Sequence, residues 1–189
     1  GIRNVEATHS QVIKVDTIDP TVAVTSSTLD GAYNAPDAIN VTLTFSEPVT
    51  TTDTIIVTLE TGATDRTCIV PIMTNATVGT CTYTVQDGDT SSDLTTNSIA
   101  ATTGSVLDIA GNTANLTPTS NLAITSAIVI DTTAPGVFTV GLVVTDGGTV
   151  VATWWNSTNT GASVEVPFAA DSSLTGGTMQ LQAEADGTF

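Results

Sequence analysis

Ile39-Asn40-Val41-Thr42-Leu43-Thr44-Phe45-Ser46 alternates apolar and polar side chains without a break. Successive side chains of a strand point to opposite faces, so this period of two predicts a strand with one face buried and the other wet. The same pattern spreads outward from it. Ile55, Val57 and Leu59 repeat the alternation, and Thr21 to Ser26, Thr67 to Met73, Thr80 to Val85, Ser98 to Leu107 and Leu122 to Ile130 supply further short apolar runs. Turn formers cluster between them, at Leu29 to Asp37 and at Gln86-Asp87-Gly88-Asp89.

Composition agrees with this reading. Of 189 residues 40 are Thr, and most of the 40% hydrophobic content is Val, Ile, Ala and Leu. β-Branched side chains fit a pleated surface, and helical spacing is absent, so the chain reads as all-β. About seven strands within roughly 115 residues predict an immunoglobulin-like β-sandwich. Three basic residues face nineteen acidic ones, a formal net charge of −16. Nucleic acid and anionic lipid need clustered Lys and Arg, so both are excluded as main partners. No apolar run approaches the ~18 residues of a membrane span, which argues against membrane insertion. The chain opens on Gly1 without a signal-like leader, as a processed or excised segment would.

The domain organisation follows from an internal echo. Val15-Asp16-Thr17-Ile18-Asp19-Pro20 returns as Ile130-Asp131-Thr132-Thr133-Ala134-Pro135 at an offset of 115 residues, and Gln11 to Lys14 aligns with Ser126 to Val129. A repeat at this spacing is a domain-sized unit with a stereotyped linker. Residues 1–15 therefore read as a final strand belonging to another domain, 16–131 as a complete sandwich, and 132–189 as an incomplete second sandwich. Within the last part, Val137 to Val144, Thr149 to Trp155, Ala162 to Phe168 and Thr178 to Ala185 are the expected strands. Four strands leave an open half-sandwich with exposed edges. One solution is strand donation, in which the segment carrying Ile2, Val5, Val12, Ile13 and Val15 inserts into a neighbouring copy and builds a head-to-tail filament. The other is completion by adjacent repeats of the same polypeptide.

Few residues can carry chemistry. Cys68 and Cys81 flank the turn formers Thr74-Asn75-Ala76-Thr77, so two adjacent strands would bring them together as a disulfide, which implies an oxidising, extracytoplasmic setting; the competing reading is two buried free thiols. At the end of the sandwich where the chain enters, Asp16 and Asp19 should meet the loops Ser46-Glu47-Pro48-Val49 and Asp108-Ile109-Ala110-Gly111-Asn112. Calcium takes six to eight oxygens from carboxylates, amides and carbonyls, so Asp16, Glu47, Asp108 and Asn112 are its candidate ligands; the competing reading is that they only form turns. Trp154-Trp155 ends a predicted strand, which places one indole in the core and leaves the other free for an interface or a glycan. Asn40, Asn75, Asn115 and Asn156 match the glycosylation pattern, although a Thr-rich chain produces such matches by chance. One histidine, His9, and no phosphate loop or nucleophile elbow argue against an enzyme.

Phe45-Ser46-Glu47-Pro48-Val49, Asp108-Ile109-Ala110-Gly111-Asn112 and Asp131-Thr132-Thr133-Ala134-Pro135 resemble, in this order, the signature stretches of bacterial immunoglobulin-like repeats of large surface proteins and adhesins. The resemblance covers residues 15–135, and 136–189 look like a second immunoglobulin-like or fibronectin-like repeat. It implies a structural unit of an extracellular fibre, pilus-like filament or adhesin stalk at the cell surface, with a carbohydrate- or surface-binding module as the alternative. Some such repeats bind calcium near domain junctions, which again implies Asp16, Glu47, Asp108 and Asn112, with Asp131 as a further candidate.

Overall fold

A computed structural model describes residues 13–136, 139, 141–151 and 154–167. The chain divides into two compact units between Thr132 and Thr133. The first unit is an all-β sandwich. Its elements are β1 (Thr21–Thr25), β2 (Gly31–Tyr33), β3 (Ala38–Thr51), β4 (Ile55–Leu59), β5 (Arg66–Val70), β6 (Ala76–Thr84), β7 (Thr90–Ser91), β8 (Thr96–Ala101), β9 (Val106–Leu107), β10 (Asn115–Pro118), a single helical turn α1 (Leu122–Thr125) and β11 (Ile128–Asp131).

The alternating stretch is the spine of this unit. β3 lies between β1 and β6 in a sheet ordered β10-β1-β3-β6, and its far end also pairs with β9. Ile39, Val41, Leu43 and Phe45 all point inward and are buried, as their period of two predicts. Against them lie the inward residues of a second sheet, β5-β4-β8, including the fully buried Ile55, Val57 and Leu59. A third sheet, β2-β11-β7, adds Ile128 and Ile130 to the same core. Burying a Val, Leu or Ile side chain contributes roughly 1.5–3 kcal/mol, so this shared apolar layer is the main source of stability.

Several expected strands change form. The sequence Ser46 to Val49, expected as a loop, is part of β3, which runs on to Thr51. Pro48 cannot donate to a ladder, and the β3–β6 register shifts between Thr44 and Val49. Ser98 to Leu107 is broken by a turn through Gly104 into β8 and β9, which serve different sheets. Leu122 to Ile130 begins as α1 instead of a strand because the Asn121 side chain caps the turn and also bonds both backbone groups of Thr96 on β8. Short β2 falls in the stretch Leu29 to Asp37 that reads as a turn, and β7 and β10 lie where no strand was expected.

Cys68 and Cys81 form a disulfide, with Cα atoms 5.6 Å apart. They do not sit on paired strands. β5 and β6 belong to different sheets, so the segment between them, with Asn75 at φ 49°, carries the chain across the sandwich and the bridge ties the sheets together. Packing is close there: a Cβ on Gly79 would stand 2.6 Å from Val70 Cγ1 and 2.8 Å from Met73 Sδ.

The second unit contributes β12 (Val143–Asp146) and β13 (Gly161–Val164), an antiparallel pair running from Val143 opposite Val164 to Asp146 opposite Gly161. Asn159 is buried beneath the connecting turn and donates to the Gly147 carbonyl at 2.8 Å. The described residues of the stretch Thr149 to Trp155 show no strand; Val151 and Trp154 make an isolated bridge. Lacking strand geometry, Trp154 and Trp155 do not alternate, and both are exposed, at 69% and 59%. Thr178 to Ala185, and Ile2, Val5 and Val12, lie outside the described residues.

Replacing both cysteines with Ser should lower unfolding free energy by about 3 kcal/mol, because the bridge closes a loop across two sheets. Urea denaturation of the oxidised protein and the double variant measures this directly. Equal midpoints would show that the cross-sheet bond contributes nothing.

Candidate functional site

Asp16, Glu47 and Asp108 meet at one place. Each offers a carboxylate oxygen within 4.8 Å of the other two. Three different elements deliver them: the segment before β1, the irregular part of β3, and the turn after β9. Burial in β3 continues to alternate through Val49 and Thr51, so Glu47 falls on the inward side of the strand at the edge of the core. An acid there is unusual, and bulged strands are a common device for aiming such a side chain.

The turn Asp108 to Asn112 is built around its own carboxylate. Asp108 Oδ1 accepts from the Gly111 and Asn112 backbone N–H groups at 2.6 and 2.8 Å, and Oδ2 accepts from Asn112 Nδ2 at 2.7 Å. Gly111 sits at φ 96°, a left-handed conformation that side chains resist. The same Asn112 amide nitrogen reaches the Asp16 carbonyl at 3.3 Å, joining the leading segment to the turn. Asp16 in turn accepts from the Ile18 N–H, and Ser46 Oγ on β3 accepts from the Thr21 N–H, so the segment is anchored from both sides.

Electrostatics follow from this geometry. Partial burial, then the charges of Asp16 and Asp108, raise the Glu47 carboxyl above its ordinary value. Burial acts the same way on Asp108, but the hydrogen bonds from Asn112, Gly111 and Ala110 outweigh it and hold its carboxyl below the usual range. The cluster is thus one carboxylate fixed in its charged form beside another that resists ionising, an arrangement that an added cation relieves. Calcium's preference for oxygen donors suits the three carboxylates, while the Asn112 side chain turns its nitrogen toward them, onto Asp108 Oδ2 and the Asp16 carbonyl. Asp19 is not in the cluster. Asp131 stands elsewhere, lining an open cleft of about 400 Å³ with Glu60, Gly62, Thr90 and Ser91.

A second charged group was not legible as a unit. Asp89, 1% exposed, accepts from Arg66 Nε and the Tyr83 hydroxyl, each at 2.7 Å, and from the Gln86 N–H at 2.9 Å. Burial opposes its charge, yet the bonds from Tyr83, Arg66 and Gln86 leave its carboxyl below the ordinary value. Burial, the bond to Asp89 and the charge of Asp89 raise the Tyr83 hydroxyl. The signals were a rare Arg and a Tyr on the inward row of β6, but residues 66, 83 and 89 become neighbours only once the sheets close. The buried Asp89 carboxylate thus fastens the β6–β7 turn to β5 through Arg66 Nε and to β6 through the Tyr83 hydroxyl.

No protein-family model, curated protein or solved structure matches the chain. Among the described residues, no helix is long and apolar enough to cross a membrane.

Asp89→Asn should cost about 3 kcal/mol near neutral pH, since it leaves Arg66 without its buried counter-charge. Because the folded carboxyl lies below its unfolded value, its stabilisation is present above pH ~4 and is lost as pH falls through the folded value. The variant should therefore show a flatter loss of stability in acid, read by thermal melts between pH 2 and 7, roughly the span in which a lowered carboxylate titrates. An acid limb as steep as that of the parent would assign the sensitivity to other groups.

Proposed function

We propose that this chain is a non-enzymatic structural repeat unit of an extracellular fibre, pilus-like filament or adhesin stalk, joined to copies of itself or to adjacent repeats of the same polypeptide. The observation that carries this reading is the echoed linker: Asp131, the counterpart of Asp16, closes the first unit one residue before the division between units. A sequence that reuses one linker at domain spacing is built for serial connection. The cross-sheet disulfide supports an oxidising, extracellular location. The three carboxylates support calcium as the structural ion, since Asp16 belongs to the segment leading into the sandwich while Glu47 and Asp108 belong to its body. A cation shared between them would fix the direction in which the chain leaves for its neighbour.

A second reading has its own observation. Trp154 and Trp155 are both exposed, and exposed indoles are suited to stacking on sugar rings, so a carbohydrate-binding adhesin module is the alternative. A glycan screen separates the two. The stalk reading expects no saturable binding, and one reproducible glycan ligand whose binding disappears in Trp154→Ala would favour the alternative.

Calcium adds a test of the structural role. Millimolar calcium should raise Tm by about 5 °C over excess chelator. Glu47→Gln should behave oppositely. With no cation its Tm should exceed that of the parent at neutral pH, because ionising a carboxyl raised in the folded state costs stability as pH rises through its ordinary value. It should then gain little from calcium. Superimposable melts of the parent in chelator and calcium would leave Asp16, Glu47 and Asp108 as turn formers.

A further inference from the structure

The linker echo reaches back into β11, and there it sets two identical patterns in opposite environments. Ile13-Lys14-Val15-Asp16 aligns with Ile128-Val129-Ile130-Asp131 at the same offset of 115. In β11, Ile128 and Ile130 are 0% and 2% exposed, whereas Ile13 and Val15 are 84% and 85% exposed. Val129, the counterpart of Lys14, is half-buried on the other side of the strand. Residues 13–16 thus carry the inward–outward–inward pattern of a closing strand, while among the described residues no strand of their own unit receives them.

We infer that residues 13–16 form the closing strand of a second sandwich of the same type as the first unit, seated between a β2-like and a β7-like strand, with Ile13 and Val15 in its core and Lys14 on its surface. The slot is defined by β11 itself. That strand runs parallel to β2, with Ile128, Val129 and Ile130 opposite Gly31, Ala32 and Tyr33, and antiparallel to β7, with Ile130 opposite Ser91. Its start is held by the Gly31 N–H on the Ala127 carbonyl and the Leu94 N–H on the Ile128 carbonyl. Backbone pairing of this kind accepts any strand with the right inward side chains, which is the basis of recognition by strand addition. Val15 is smaller than Ile130 by one methylene and Lys14 replaces an outward Val, so neither change conflicts with the slot. The acceptor is therefore a sandwich of the first unit's type, and the β12–β13 hairpin of the second unit is not required. The contact also makes Asp16 the last residue of the docked strand, as Asp131 is of β11, so the carboxylate cluster begins where the neighbouring sandwich ends.

This inference rests on the reading of the chain as a repeat unit, and it can fail separately from it. Two arms test it in the full chain. In the first, Val129→Lys with Ile130→Val writes residues 13–16 into β11. The expected result is a folded protein whose Tm falls by only a few degrees, while Ile128→Lys, which puts the charge on the inward side, loses the cooperative melt. A double variant that melts like Ile128→Lys would overturn the inference. In the second arm, the full chain carrying Ile128→Asp and Ile130→Asp, whose own β11 cannot seat, is titrated with a synthetic peptide of residues 8–19. The expected response is saturable: a Tm rise of ~3 °C or more if the variant folds alone, or a gain of β-sheet circular dichroism if it does not. A peptide with Ile13→Asp and Val15→Asp should give neither. No response to the parent peptide up to millimolar concentration would overturn the inference, while the glycan and calcium outcomes that test the repeat-unit reading would stand unchanged.

Discussion

The structure depends on one strand doing two jobs. β3 runs from Ala38 to Thr51, and its first half pairs with β1 and β6 while its end pairs with β9. Pro48 cannot donate to a ladder, and across the register shift between Thr44 and Val49 one edge passes from β1 to β9 while the other keeps β6. The inward row nevertheless continues, from Phe45 through Glu47 to Val49. The demand that this row stay inward is what carries an acid to the edge of an apolar core and brings it against Asp108, whose turn follows β9, β3's partner at that end. Core packing and the carboxylate cluster are thus two consequences of the same backbone path.

Closure of the sandwich adds covalent and charged fastenings to the apolar layer. The chain has only 4% aromatic residues, so the core is filled by Val, Ile and Leu side chains with small individual contributions. The disulfide joins β5 to β6 across the layer, and Gly79 lets the two approach. One turn further on, Asp89 gathers Arg66 from β5 and Tyr83 from β6 around a single buried carboxylate. These fastenings lie on the same flank, where successive strands belong to different sheets and no ladder joins them.

Most of the architecture was legible where local pattern and tertiary demand coincide. β1, β3, β4, β5 and β6 follow apolar alternation that survives folding because each has one face on the core. The departures have particular causes. α1 forms in an apolar run because the Asn121 side chain offers the backbone a local alternative, and β7 and β10 are too short and polar to show a period. Convergence of Asp16, Glu47, Asp108 and Asn112 was legible from loop position, but Glu47's place on the inward face was hidden by Pro48, which reads as a turn former. Asp89 with Arg66 and Tyr83 was not legible, because only the cross-sheet turn between β5 and β6 unites those positions. The exposure of both indoles was likewise hidden, since alternation was inferred for a strand to which neither Trp154 nor Trp155 belongs.

The account turns on whether the cluster that β3 aims is a cation site. Isothermal titration calorimetry of the chelator-treated full chain with calcium measures this without relying on melting or assembly. The predicted result is saturable heat at one calcium per chain in the parent protein, and its loss in Glu47→Gln, which preserves side-chain shape while removing the charge. Heat no greater than dilution in the parent, or an unaltered isotherm in Glu47→Gln, would contradict the account.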